Sequence, residues 1–116
     1  MLTDKDYCDY ETCVALKELG CSLSSFEKWE NKEGKLELVP HYLLYSAQKW
    51  LREEWGVHIT IHYVYHLNEH VFGTTLRFMG KTLRDSGALY DTAKYSSYEE
   101  ALLEGIKEAI NILKEN

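Results

Sequence analysis

Four histidines, His58, His62, His66 and His70, recur every four residues. On a helix that spacing would line imidazoles along one face, a starting arrangement for zinc. The residues between them argue against a helix. Ile59, Thr60, Ile61, Tyr63, Val64 and Tyr65 are β-branched or aromatic and favour strand. Four residues of strand separate side chains by roughly 13 Å, whereas the ligands of one zinc ion each lie about 2 Å from it. His70 lies beyond a predicted turn and changes face. The pattern therefore predicts no metal and no cofactor, and reads as the polar face of a strand.

Other reactive types lead no further. Cys8, Cys13 and Cys21 are an odd set without a CxxC pair, so they read as free thiols, with Cys13 a small core residue. Carboxylates are plentiful, but none lies in an apolar context that would shift its pKa. The chain has no phosphate-cradling glycine loop, nucleophile elbow or HExxH motif, so no catalytic residue is assigned. Nine tyrosines, three tryptophans and three phenylalanines could stack bases. Trp50, Trp55, Tyr63 and Tyr65, however, fall on predicted core stripes.

The elements that would position these residues follow from periodicity. A first helix is predicted from Asp9 to Leu19, with Asp9 as cap, Cys13, Leu16 and Leu19 on one stripe, and Gly20 as terminator. A hairpin with loop Asn31-Lys32-Glu33-Gly34 pairs Trp29 with Leu36, Lys28 with Glu37 and Phe26 with Val39. Pro40 suits the first turn of a second helix, whose buried stripe runs Leu43, Ala47, Trp50, Leu51 and Trp55 before Gly56.

Residues 57–79 alternate as two strands. A turn at Asn68-Glu69 pairs Ile59 with Phe78, Ile61 with Leu76, Tyr63 with Thr74 and Tyr65 with Phe72. On the other face it sets Thr60 beside Arg77 and His62 beside Thr75. Residues 80–96 are polar, with a short edge strand suggested at Ala88 to Tyr95. Ser97 and Glu100 form a capping box for a last helix that buries Tyr98, Ala101, Leu102, Gly105, Ile106, Ala109 and Leu113. Gly105 within that stripe predicts close approach to the sheet. The expected fold is one α+β domain over residues 1–116, an antiparallel sheet of two hairpins with three helices. The order is α-ββ-α-ββ-α, with the helices mainly on one face.

The chain has 116 residues, a net charge of −6, and is 45% hydrophobic and 28% charged. This suits a folded domain and disfavours bulk nucleic-acid binding. From Pro40 onward the order of elements matches that of double-stranded-RNA-binding domains, which contact phosphates with lysines at the start of the last helix. The matching turn here is Ser97-Tyr98-Glu99-Glu100, of the wrong sign. The first residues lack a secretory pattern, and no run of roughly 20 apolar residues is present. A cytoplasmic protein without membrane contact is expected.

Three segments in order carry a resemblance: Ala15-Leu16-Lys17-Glu18-Leu19-Gly20 with the aromatic hairpin Phe26 to Trp29, then Trp50-Leu51-Arg52-Glu53-Glu54-Trp55-Gly56, then Ser97-Tyr98-Glu99-Glu100-Ala101-Leu102. Together they resemble a family of short uncharacterised proteins from prophages and mobile elements of gut Bacteroidetes. The resemblance implies a phage accessory role, without site residues to carry over. The leading expectation is a non-enzymatic accessory protein that acts through contacts with a protein partner, a second copy included. The face His58, Thr60, His62, Thr75 and Arg77 is its candidate interaction surface. Two other readings stand beside it. One is an acidic mimic directed at a host nucleic-acid-binding enzyme, using Asp4, Asp6, Asp9, Glu11 and Glu18 with Glu99, Glu100, Glu104, Glu108 and Glu115. The other is a metal-binding protein or enzyme on the histidine face.

Overall fold

The computed structural model describes residues 4–21, 26–32, 34–66, 68–78, 81–86 and 95–114. After a short 3-10 turn at Asp4–Asp6 come α1 (Tyr10–Glu18), β1 (Phe26–Lys32), β2 (Lys35–His41), α2 (Leu44–Trp55), β3 (Val57–His66), β4 (Glu69–Phe78), β5 (Lys81–Ser86) and α3 (Tyr98–Lys114). The class is α+β. The strands form two separate antiparallel sheets, β1-β2 and β3-β4-β5. The expected order α-ββ-α-ββ-α, with one sheet of two hairpins, is therefore not the one found. Only β1-β2 stands as a lone hairpin; the second β unit is a three-stranded meander. Among the described residues no helix is long and apolar enough to cross a membrane.

Both expected registers are off by two residues, each through its turn. Gly34 (φ 79°) and Asn68 (φ 65°) adopt the left-handed conformation that two-residue turns use. In the first ladder this replaces the expected four-residue loop. In the second, the two-residue turn lies one position earlier than Asn68-Glu69. The first ladder closes at Lys32↔Lys35 and sets Trp29 opposite Leu38. The second closes at His66↔Glu69 and sets Ile59 opposite Leu76 and Tyr65 opposite His70. An even slip preserves the faces of a strand, so the alternation was sound although the partners were not.

Pro40 lies in β2 opposite Glu27 instead of opening α2. Each strand of a two-stranded ribbon has a free edge, where a missing N–H is tolerated. The helix begins one turn later, after Leu43. The third strand of the meander is Lys81–Ser86; the suggested strand at 88–95 lies outside the described residues except for Tyr95. That residue exchanges two backbone hydrogen bonds with Phe72, 2.8 and 3.1 Å, on β4.

The helix ends follow their capping chemistry. Asp9 Oδ1 accepts from the Thr12 amide at 2.9 Å at the start of α1. Gly56 (φ 71°) terminates α2. Ser97 Oγ accepts from the Glu100 amide at 3.1 Å, and the Glu100 carboxylate accepts from Ser96 Oγ at 2.8 Å.

A cluster of buried side chains links Leu16 of α1, Leu44 and Leu51 of α2, Val57 and Ile59 of β3, Leu76 of β4, and Leu102 and Ile106 of α3. The tightest junction is that of α3 with the sheet. A Cβ on Gly105 would lie 2.7 Å from Thr74 Cγ2 and 2.8 Å from Ile59 Cγ2. Beside it Thr74 Oγ1 donates to the Ala101 carbonyl at 2.8 Å, in a buried setting. Replacing glycine with alanine in a helix gains about 1 kcal/mol of propensity, whereas overpacking costs about 1–3 kcal/mol. The two methyls belong to buried branched side chains, so overpacking wins. Gly105→Ala is expected to lower stability by about 1 kcal/mol in urea unfolding, and adding Thr74→Ser, which removes one methyl, recovers part of the loss. A raised unfolding midpoint in Gly105→Ala contradicts the packing.

Candidate functional site

The β3-β4 ribbon presents two faces. On the polar face the pairs are His58↔Arg77, Thr60↔Thr75 and His62↔Gly73, so all five residues of the expected interaction surface share it. They are not equally available. His62 Nε2 and Thr75 Oγ1 lie 2.6 Å apart, and Thr75 is only 2% exposed. His58, Thr60 and Arg77 remain exposed. Thr60 faces Thr75 and His58 faces Arg77, correcting the partners expected from a turn at Asn68-Glu69.

The histidines do not converge. His62 is engaged with Thr75. His70 stands on the opposite face, where Nδ1 hydrogen-bonds the Tyr63 hydroxyl. Among the described residues no group of three or more His, Cys, Asp or Glu is arranged to hold a metal ion. None of the three cysteines is in a disulfide. The Cys8 thiol is pushed far up from its ordinary pKa by its hydrogen bond with Cys13 and by burial, which makes it an inert core group.

The second face carries the feature that periodicity concealed. Tyr63 and Tyr65 were expected in the core and are instead 56% and 57% exposed. Trp55 and Tyr98 are also exposed, while Trp50 is buried as expected. The side chains of β1, Trp29 among them, and those of β2 before His41 lie outside what is described.

The reason for the exposure is geometric. The helices cover this face over Val57, Ile59, Thr74 and Leu76, but β3 has ten residues, about 33 Å of strand. Its distal end runs beyond that cover. There the side chains pack on one another. Tyr65 and His70 have ring centroids 4.9 Å apart, His70 and Tyr63 5.6 Å, and Tyr63 and Phe72 5.5 Å. Phe72 then meets Tyr98 of α3 edge-on at 6.4 Å, and Tyr98 stacks on Tyr45 of α2 at 6.1 Å. Six rings form a continuous ladder from the first turn of α2 to the hairpin tip.

The sequence held one clue. The core stripe changes from Val57, Ile59 and Ile61 to Tyr63 and Tyr65, from aliphatic residues to amphipathic ones, where the helical cover stops. Tyrosine is at ease with one face against protein and its rim in water.

The Tyr45 hydroxyl has its pKa raised by partial burial, by the Glu99 charge, by Tyr98 and by Asp6. Glu99 also lines a groove of about 530 Å³, with Lys5, Tyr7, Asp9 and Leu103 among its walls.

No family model, curated protein or solved structure matches the chain.

The acids of α1 and α3 do not form an unbroken stripe. Lys107 Nζ lies 2.9 Å from Asp9 and 3.7 Å from Glu104, and Lys114 lies 3.7 Å from Glu18. Burial pushes the Asp9 carboxyl up, but hydrogen bonds from Thr12 and Lys107, with the Lys107 charge, hold it below its ordinary value of 3.8. A folded pKa below the unfolded one contributes stability at pH above the unfolded value, lost as pH falls through the folded value. Asp9→Asn is therefore expected to be destabilised at neutral pH, with the gap to the parent narrowing on acidification below about pH 4. A gap that stays constant down to about pH 2 in urea unfolding contradicts this ion pair and cap.

Proposed function

We propose that this chain is a non-enzymatic module that acts through protein contacts, with the β3-β4 ribbon as its docking element. The observation that carries the reading is the ladder Tyr65, His70, Tyr63, Phe72, Tyr98 and Tyr45, exposed along its length except at half-buried Phe72. Tyrosine is enriched at interfaces and among the residues that dominate binding energy, because it brings large contact area with few rotatable bonds. Internal ring packing has already fixed these side chains, so less freedom is lost on binding. The polar face, with His58, Thr60 and Arg77 exposed and His62 held by Thr75, offers a second and more hydrated surface.

A phage or mobile-element accessory role fits such a module and is what the resemblance implies. Charge mimicry receives less support, since lysines of α3 interrupt the acids of α1 and α3.

The reading is tested by affinity capture from the native host with three baits: the parent, Tyr63→Ser/Tyr65→Ser, and Arg77→Ser/His62→Ser. Loss of two hot-spot tyrosines, at about 2 kcal/mol each, is expected to reduce partner recovery by at least about tenfold. The polar-face variant is expected to retain more of it. Equal recovery by all three folded baits, or recovery by none, overturns the reading.

A further inference from the structure

Resting on the reading of the ribbon as a docking element, we infer that the outer edge of β3 pairs with the same edge of a second copy of this chain, antiparallel and centred on Tyr63.

The first observation is which backbone groups lie on that edge. Phe72 of β4 exchanges its backbone hydrogen bonds with Tyr95, so neither goes to β3. Its partner across the ladder is Tyr63. The two therefore form a non-hydrogen-bonded pair, and the Tyr63 N–H and C=O point away from β4. The same parity holds for Val57, Ile59, Ile61 and Tyr65. Ile59 agrees with it, because its carbonyl accepts from the Gln48 side chain of α2 at 2.8 Å. Among the described residues no strand pairs with this edge, and the outward groups of Ile61, Tyr63 and Tyr65 lie beyond the carbonyl that α2 caps.

The second observation is that the two edges of the sheet are unequal. Proteins blunt an open edge with charge, short length or irregular pairing. β5 combines all three: six residues, with Lys81, Arg84 and Asp85 among them, and a register shift against β4. β3 has none of these. Its ten residues include no acid, lysine, arginine or proline, and its ladder with β4 runs without a shift. Such an edge suits strand addition rather than solvent.

The third observation selects the occupant. The open stretch Ile61 to Tyr65 is centred on Tyr63. A two-fold axis there sets Tyr63 opposite Tyr63 of the copy, and Ile61 of each chain opposite Tyr65 of the other. Two backbone hydrogen bonds close at each of these pairs. The facing residues are aromatic or β-branched, a favourable cross-strand combination. No like charges meet, because the strand carries neither acids nor lysine or arginine. A foreign strand would have to supply a matching uncharged edge; a second copy already carries one.

The test follows the full chain by analytical ultracentrifugation and by amide hydrogen exchange in nuclear magnetic resonance, each over a range of concentrations. A concentration-dependent dimer is expected. As it forms, the amides of Ile61, Tyr63 and Tyr65 should gain at least about tenfold protection, while those of Thr60, His62 and Val64, already bonded to β4, change less. Tyr63→Lys and Tyr63→Glu should each weaken self-association at least about tenfold, since each sets like charges across the axis. An equimolar mixture of the two should restore dimers of mixed composition. Circular dichroism confirms that both variants are folded.

A monomer at every concentration overturns the inference. So does a dimer that both charged variants leave intact, or one in which those three amides gain no protection, the mark of packing through the ring faces. A mixture that stays monomeric overturns the two-fold register and the inference with it. Protection of the three amides in a monomeric chain by a strand of another protein removes the second copy while keeping the ribbon as a docking element. Failure of the docking reading shows separately, as host-partner capture that Tyr63→Ser/Tyr65→Ser does not change.

Discussion

The backbone of α3 lies directly on the β3-β4 sheet, with no side chain between them at Gly105. The methyls of Thr74 and Ile59 occupy the space a Cβ would need, and the Thr74 hydroxyl closes onto the Ala101 carbonyl beside them. A hydroxyl buried in that position is tolerable because it finds this acceptor. Close approach also sets how far the helix reaches over the strands. Leu102, Ile106 and Ala109 of the same helix are buried on the core, so one contact fixes the seating of the whole helix.

The exposed rings follow from that seating. A helix anchored over Ile59 and Thr74 covers the proximal part of the ribbon and leaves its distal end beyond the helix layer. The first turn of α3 then brings Tyr98 between Phe72 and Tyr45. The rings of four elements, β3, β4, α3 and α2, thereby become one surface. Fold and candidate function are joined at a single packing contact.

Much of this was legible in the residues. The caps at Asp9 and Ser97, the terminator Gly56, the close approach at Gly105 and the faces of β3 and β4 are all local or two-fold periodic signals. What escaped depended on longer-range facts. A turn shorter than expected at Gly34, and one a position earlier than expected at Asn68, moved both registers by an even step, which alternation cannot detect. Pro40 suited a helix start equally well, and only its place in a ribbon with free edges made it a strand residue. Polar Lys81–Ser86 has little strand signature of its own and is held as β5 by pairing with β4. Tyr63 and Tyr65 continued an apolar stripe in sequence; whether that stripe is covered depends on where a distant helix lies. For the five polar-face residues the sequence placed them on one side but could not show that Thr75 is buried against His62.

The seating of α3 is tested most directly by nuclear Overhauser contacts in solution. Cross-peaks from the Gly105 Hα protons to the methyls of both Thr74 and Ile59, with ring contacts between Tyr98 and both Phe72 and Tyr45, are predicted. A spectrum of the folded protein in which Gly105 shows no contact with either methyl, or in which Tyr98 contacts neither ring, would contradict this architecture and the surface it creates.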